Sequence, residues 1–353
     1  MKILYFTKYT RKGASSRLRS YQYFPYLEKQ GIEVTVSPFF CDAYLENLYA
    51  KKSTLKQVIK AYFHRFFSLW KVCKYDRILI EYELFPYLPG WFEFIYKLFN
   101  IKYIVDYDDA IFHNYDLHPN QVIRFLLKNK IDQIMKNSYC VVVGNSYLKE
   151  RAVFSGAKNI RLMPTVIDVN RYLIKEKKEN KNFVIGWIGS DTTFKYVKNI
   201  VPILKQLIEK YHIFIHIVGA SESLELGNNE KHLDWLEETE VQSILTFDVG
   251  IMPLLDTPWE QGKCGYKLIQ YMGCGLPIVA SAVGANNDIV EHGLNGFLVN
   301  SEQEWFDYIE QYILDPELRK NHRSYGRSLV ENKYCIEKQL DIYKEIYEPL
   351  NKR

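Results

Sequence analysis

Twice in this chain a short apolar strand runs into a small polar loop, then a helix with one apolar face, then another strand. Residues 2–7 (KILYFT) make the first strand and 8–15 the loop. From 16 to 30, Leu18, Tyr21, Phe24 and Leu27 return every three residues, the period of a helix face. Ser15 or Ser16 caps its start and Gly31 ends it, before a strand at 32–36. Further strands are expected at 77–82, 102–105 and 140–143. The pattern then restarts with a strand at 183–188, a loop at 189–194, a helix at 195–211 and a strand at 213–218. Between the halves, 175–181 (KEKKENK) has no apolar residue and reads as a solvated linker. Such units feed parallel sheets, so the pattern predicts an α/β chain of two Rossmann-like domains, 1–174 and 175–333. It also predicts a ligand cleft where strand carboxyl ends face each other. The 353 residues suit two cores better than one.

Composition narrows the function classes. A net charge of +4 leaves no nucleic-acid footprint. The six cysteines form no CxxC pair and read as reduced thiols of a cytoplasmic protein. The first residues lack the apolar core of a signal peptide, and no run approaches the ~20 apolar residues that span a bilayer. No GxGxxG follows either opening strand, which argues against a nicotinamide-dependent oxidoreductase. Residues 51–75 are different in kind. They carry Lys51, Lys52, Lys56, Lys60, Arg65, Lys71 and Lys74, interleaved with aromatics, and no Asp or Glu. This is the composition of a peripheral anchor on an anionic membrane surface, or of a helix packing on the first sheet.

Residues 247–281 carry the chemistry. A strand at 247–252 leads into a loop with Glu260, Gly262, Lys263, Cys264 and Gly265, then a helix from 266, with Gly275 suited to its left-handed end. A glycine loop opening a helix at a strand's carboxyl end offers N–H groups and a helix dipole to an anion. Lys263 and Lys267 add full charges, and Gln270 lies on the helix face of Lys267. One side chain suits a phosphate and the other a ribose hydroxyl. A lysine beside a diphosphate stabilises it as a leaving group, a term of about 3–4 kcal/mol per donor in a water-poor site.

The run Gln270-Tyr271-Met272-Gly273-Cys274-Gly275-Leu276-Pro277, followed by residues 278–281 and 288–299, resembles the donor segment of glycosyltransferase family 4 (the glycosyl transferases group 1). The resemblance is clear over 183–299 and weaker before it. It implies the GT-B fold, with a central cleft and a last helix, 334–353, crossing back to the first domain. It implies retaining, metal-independent transfer of a hexosyl group from a UDP- or GDP-sugar to a glycan or lipid-linked acceptor, as in bacterial surface polysaccharide assembly. No cofactor is implied beyond the donor itself. Where the family places two glutamates around this loop, the chain has Gly262 and Gln270, so Glu260 or backbone groups must meet the donor sugar. Gly189, Ser190 and Lys195 fall at the family's second phosphate loop, although Lys195 also reads as a solvated first-turn lysine.

In the first domain the loop Gly13, Ser15, Ser16, Arg17 and Arg19 resembles the family's cleft-facing loop, and Arg17 and Arg19 suit an acceptor phosphate or an exposed first turn. Asp108, near the place of a family histidine, and Asp109 suit acceptor orientation or proton removal, with a helix cap as the bland alternative. Asp106 and Asp108 also resemble the metal triplet of the other glycosyltransferase fold, but lie outside the donor-like half. A nucleotide-sugar epimerase, or a subunit that keeps the fold without catalysis, are the rival readings.

Overall fold

The computed structural model describes residues 1–172 and 182–347; the linker expected at 175–181 lies outside them. The chain forms two units, each on a six-stranded parallel sheet. Unit one is Met1–Thr165 with Gln339–Arg353, and unit two is Val166–Lys338. The division thus falls at Thr165 and not at 174. Residues 166–172 are tied into unit two, where Ile167 bridges Cys335 and the Tyr172 hydroxyl donates to Glu240 at 3.0 Å. The return to unit one comes inside the helix Ile336–Tyr347, at Gln339 and not at 334.

The first sheet contains β1 (Lys2–Phe6), β2 (Glu33–Val36), β3 (Arg77–Glu81), β4 (Tyr103–Tyr107), β5 (Cys140–Val143) and β6 (Ile160–Leu162), in the order β2-β1-β3-β4-β5-β6. The second contains β7 (Val184–Ile188), β8 (Phe214–Val218), β9 (Glu230–Leu233), β10 (Val249–Met252), β11 (Ile278–Ser281) and β12 (Gly296–Val299), in the order β12-β11-β10-β7-β8-β9. The central strands are buried along their lengths, which is why they read as unbroken apolar runs. In each sheet the strand order reverses once, between β1 and β3 and between β7 and β10. Open α/β sheets hold ligands beside such reversals, at the strand carboxyl ends.

Two helices expected as single are broken. The first divides into Ala14–Arg19, a 3-10 turn at Tyr21–Tyr23, and Phe24–Lys29; the second divides into Asp191–Lys198 and Val201–Tyr211. Pro25 and Pro202 explain both, since each lacks the N–H that an unbroken helix needs and sits in the first turn of the new segment. Among the described residues no helix is long and apolar enough to cross a membrane.

Candidate functional site

The reversal in unit two is built around β7 and the loop after β10. Trp187, near the end of β7, lies under the Lys267 ammonium, 5.0 Å from the ring centroid. Lys267 occupies the first turn of the helix Tyr266–Gly273. Its N-cap, Gly265, adopts φ +65° and has no side chain to accept from the first N–H groups. A Cβ there would come within 2.3 Å of Ile289. The left-handed turn and the close approach together select glycine. Lys267 is half-buried, and among the described residues no carboxylate pairs with it. Burial pushes its ammonium down to about 7, with Lys263 as the second cause. Gly189 closes the other side, where an added Cβ would strike Trp187 at 2.5 Å.

The loop between β10 and this helix is pinned at several points. The hydroxyls of Thr257 and Tyr196 both donate to Glu260. Burial opposes the Glu260 charge, but these donors, its own backbone N–H and Lys195 hold the carboxyl below the usual range. The Leu254 N–H donates to Ser281 Oγ at 2.9 Å, and an added Cβ on Gly284, at φ +52°, would lie 2.5 Å from the Gln261 carbonyl. A shaped, rigid loop with two lysines and an uncapped helix start can bind a diphosphate without rearranging.

The structure therefore gathers Gly189, Lys263, Cys264, Gly265 and Lys267 at one strand-order reversal. Gly262 ends the short helix Pro258–Gln261 just before them. Ser190 is exposed at the N-cap of the neighbouring helix Asp191–Lys198, and Lys195 is exposed in its last turn, not the first turn expected. Two expectations change. Glu260 spends its carboxylate on Thr257 and Tyr196, so it braces the loop. Gln270 is buried, and one of its two amide N–H groups donates to the Tyr172 hydroxyl at 3.0 Å, so the side chain is tied into unit two's interior and not presented at the surface for a ribose. Trp187 and Tyr196 went unnoticed in the sequence. The one available signal was closeness along the chain, with Trp187 two residues before Gly189 and Tyr196 directly after Lys195.

In unit one the reversal holds carboxylates. Glu81, at the end of β3, accepts from Ser16 Oγ and Ser20 Oγ at 2.5 Å each and from the Lys8 N–H at 2.7 Å. Burial still raises its carboxyl to about 7, the three donors working against the shift. Asp106 on β4 accepts from Arg19 Nε at 2.9 Å and Nη2 at 2.5 Å, while Arg19 Nη1 reaches the Met163 carbonyl at 2.6 Å. Arg19 is only 1% exposed, so it does not meet an acceptor phosphate as expected; the bidentate pair holds the first helix on the sheet. Ser16 is likewise buried on Glu81, and Arg17 is buried too. With Asp106 occupied by Arg19, the Asp106–Asp108 pair is not poised to clamp an ion.

Asp108 is half-buried and accepts from Ser15 Oγ at 2.9 Å and from the Tyr82 hydroxyl. Tyr82 holds φ +62°, a strained conformation for a bulky residue, and thereby aims its hydroxyl at Asp108. Asp109 is half-buried beside it. The following helix, His113–Asp116, has Phe112 at its N-cap position, so neither aspartate occupies it. Gly13 serves packing, since an added Cβ would lie 2.4 Å from Tyr9. His113 bonds Asp116 at 2.7 Å and Tyr147 at 2.8 Å within its own element cluster.

Comparison with known proteins agrees with the geometry. Residues 182–315 match the family described as glycosyl transferases group 1. An uncharacterised glycosyltransferase of Methanocaldococcus jannaschii is 24% identical over 312 residues, 82% of this chain and 79% of that one. The N-acetyl-alpha-D-glucosaminyl L-malate synthase of Bacillus anthracis is 30% identical over 246 residues, 65% of this chain and 62% of that one. Among solved structures, HepE of Anabaena in complex with UDP and glucose superposes with a TM-score of 0.71 at 16% identity, covering 99% of this chain and 100% of that one.

Proposed function

We propose, from the premise that this chain is a glycosyltransferase of the GT-B fold among the glycosyl transferases group 1, that it moves a hexosyl group from a nucleoside-diphosphate sugar to a glycan or lipid-linked acceptor. The reading places it in bacterial surface polysaccharide assembly, with retention at the anomeric carbon and no metal ion. The observation that carries it is the Lys267 ammonium, half-buried over Trp187 with no carboxylate partner among the described residues. A cation kept unpaired in a folded protein costs free energy unless something else neutralises it. A diphosphate does so. When the anomeric carbon–oxygen bond breaks, the bridging oxygen leaves with the β-phosphate and its charge grows. Lys267, Lys263 and the start of the helix Tyr266–Gly273 face that growing charge. Glu260 holds the loop that carries them.

Asp108, between Ser15 and Tyr82, suits an acceptor hydroxyl, orienting it or taking its proton. The HepE structure holds UDP, which favours a uridine donor here. The test is titration calorimetry of wild type and Lys267→Ala with UDP-, GDP- and ADP-sugars. One nucleotide sugar should bind the wild type and lose most of its affinity in the variant. Equal affinity of the two proteins for every donor would overturn the assignment of Lys267.

A further inference from the structure

We propose that unit one docks on an anionic lipid bilayer through a platform of two helices, Leu55–Ser68 with its 3-10 continuation Leu69–Lys74, and Trp91–Leu98. The second helix was not part of the basic stretch read from the sequence. On the first, Ile59, Phe63, Phe67 and Trp70 follow at spacings of four, four and three residues, and all are exposed, Trp70 by 77%. On the second, Trp91, Phe94 and Leu98 lie three and four residues apart and are exposed, and Phe99, directly after the helix, is 74% exposed. Phe66 meets Phe92 at 6.3 Å between ring centroids, so the two helices are neighbours. Isolated exposed apolar residues are ordinary, but two adjacent helices whose outer stripes are aromatic form a contiguous patch of the kind that binds a partner.

Charge selects the partner. Residues 51–75 and 87–102 contain one acid between them, Glu93, which is buried and accepts from the Leu84 N–H at 2.8 Å. The exposed charges of these segments are therefore lysines, among them Lys56, Lys60, Lys71, Lys74, Lys97 and Lys102, with the exposed His64 beside them. Arg65 does not belong to this rim. It is buried, donates to the Thr7 and Ser37 carbonyls at 3.0 and 3.1 Å, and lies over Phe6, fastening the first helix to β1. A second copy of the chain across a two-fold axis would set lysine rim against lysine rim, which repels. Anionic headgroups neutralise the rim, while Trp70, Trp91, Phe67 and Phe99 enter the layer beneath and the lysine stems reach back to the phosphates. Docking needs no donor, so it stands or falls apart from the transfer reaction.

The test is flotation of the full chain with phosphatidylcholine vesicles, with and without phosphatidylglycerol. Two variants accompany it, Phe63→Glu/Phe67→Glu/Trp91→Glu and Lys56→Glu/Lys60→Glu/Lys71→Glu. Wild type should float with the anionic vesicles alone and be released by salt, and each variant should lose at least about tenfold in bound fraction. Wild type should also show tryptophan quenching by brominated lipid, and the conservative Trp70→Phe/Trp91→Phe protein should lose most of it. Overturning results are no flotation of wild type, equal flotation of the variants, or quenching unchanged in the double phenylalanine protein. A dimer dissolved by Phe63→Glu/Phe67→Glu/Trp91→Glu, without flotation, would assign the platform to a second copy instead.

Discussion

Beside β1, the Glu81 carboxylate receives three hydrogen bonds and Asp106 is held by two donors, Nε and Nη2, along one edge of the Arg19 guanidinium; beside β7, the Lys267 ammonium meets an indole ring and another lysine. Both groups sit at a strand-order reversal. In unit one the buried charges are answered from within the chain, so the reversal is a fastening point. In unit two the Lys267 ammonium has no carboxylate partner among the described residues, and under the proposed function a diphosphate answers it. A fold-level rule says where ligands bind, and the balance of charge says which of two such places binds an anion.

Arg19→Ala should break this contrast most. It leaves Asp106 buried without its partner, a loss of about 3–5 kcal/mol, while donor affinity stays as it was. Urea unfolding beside calorimetry would check it. Intact stability with a raised acceptor KM would make Arg19 an acceptor ligand after all. Lys267→Ala should do the opposite, lowering kcat/KM by about 10²-fold or more with the fold intact.

The pH dependence sharpens the comparison next. Lys267 is charged below about 7 in the free protein, so donor affinity should fall as pH rises from 7 to 9, by at most about tenfold per unit. Lys267→Arg should flatten that profile. Stability has the matching signs. The folded pKa of Lys267 lies below its ordinary value, so the folded state binds fewer protons between about 7 and 10.5 and the Lys267 contribution to stability rises across that window. The folded pKa of Glu81 lies above its ordinary value, so the Glu81 contribution falls as pH rises from 4.5 to about 7. Unfolding curves of Lys267→Met and Glu81→Gln across pH 5–10 should each lose one of the two slopes. The smallest effect expected is none: EDTA should leave transfer unchanged, because lysines and a helix start stand where a cation would. Loss of transfer restored by Mn²⁺ would reverse the assignment.

Both sheets were legible because their central strands are buried on two faces and carry unbroken apolar runs such as Val184–Ile188. Three edge strands were not read, Ile160–Leu162, Glu230–Leu233 (EKHL) and Gly296–Val299; in the second, Lys231 and His232 are both exposed and no apolar run marks it. Lys263 and the two glycines of the 253–265 loop, with Lys267 in the helix after it, were legible by spacing along the chain. Arg19 and Ser16 misled for a physical reason. A basic first helical turn looks the same in sequence whether it faces solvent or a buried Asp106, and the aspartate lies 87 residues away. The brace from Tyr196 to Glu260 spans 64 residues and leaves no local trace for the same reason.

The division of the chain has a consequence during synthesis. Unit one needs residues on both sides of unit two: Tyr343 donates to the Arg19 carbonyl at 2.7 Å and packs tilted against Tyr23 with ring centroids 4.5 Å apart, and Tyr347 meets Tyr5. On the ribosome the first 165 residues must wait while Val166–Lys338 is made, roughly 10–30 s at about 5–20 residues per second. Through that interval the wall that Tyr343 and Tyr347 cover stays bare around Tyr5 and Tyr23. A premature stop before Gln339 would spare every residue of the lysine loop and still leave the nascent product with an open first core, a target for chaperones and proteases.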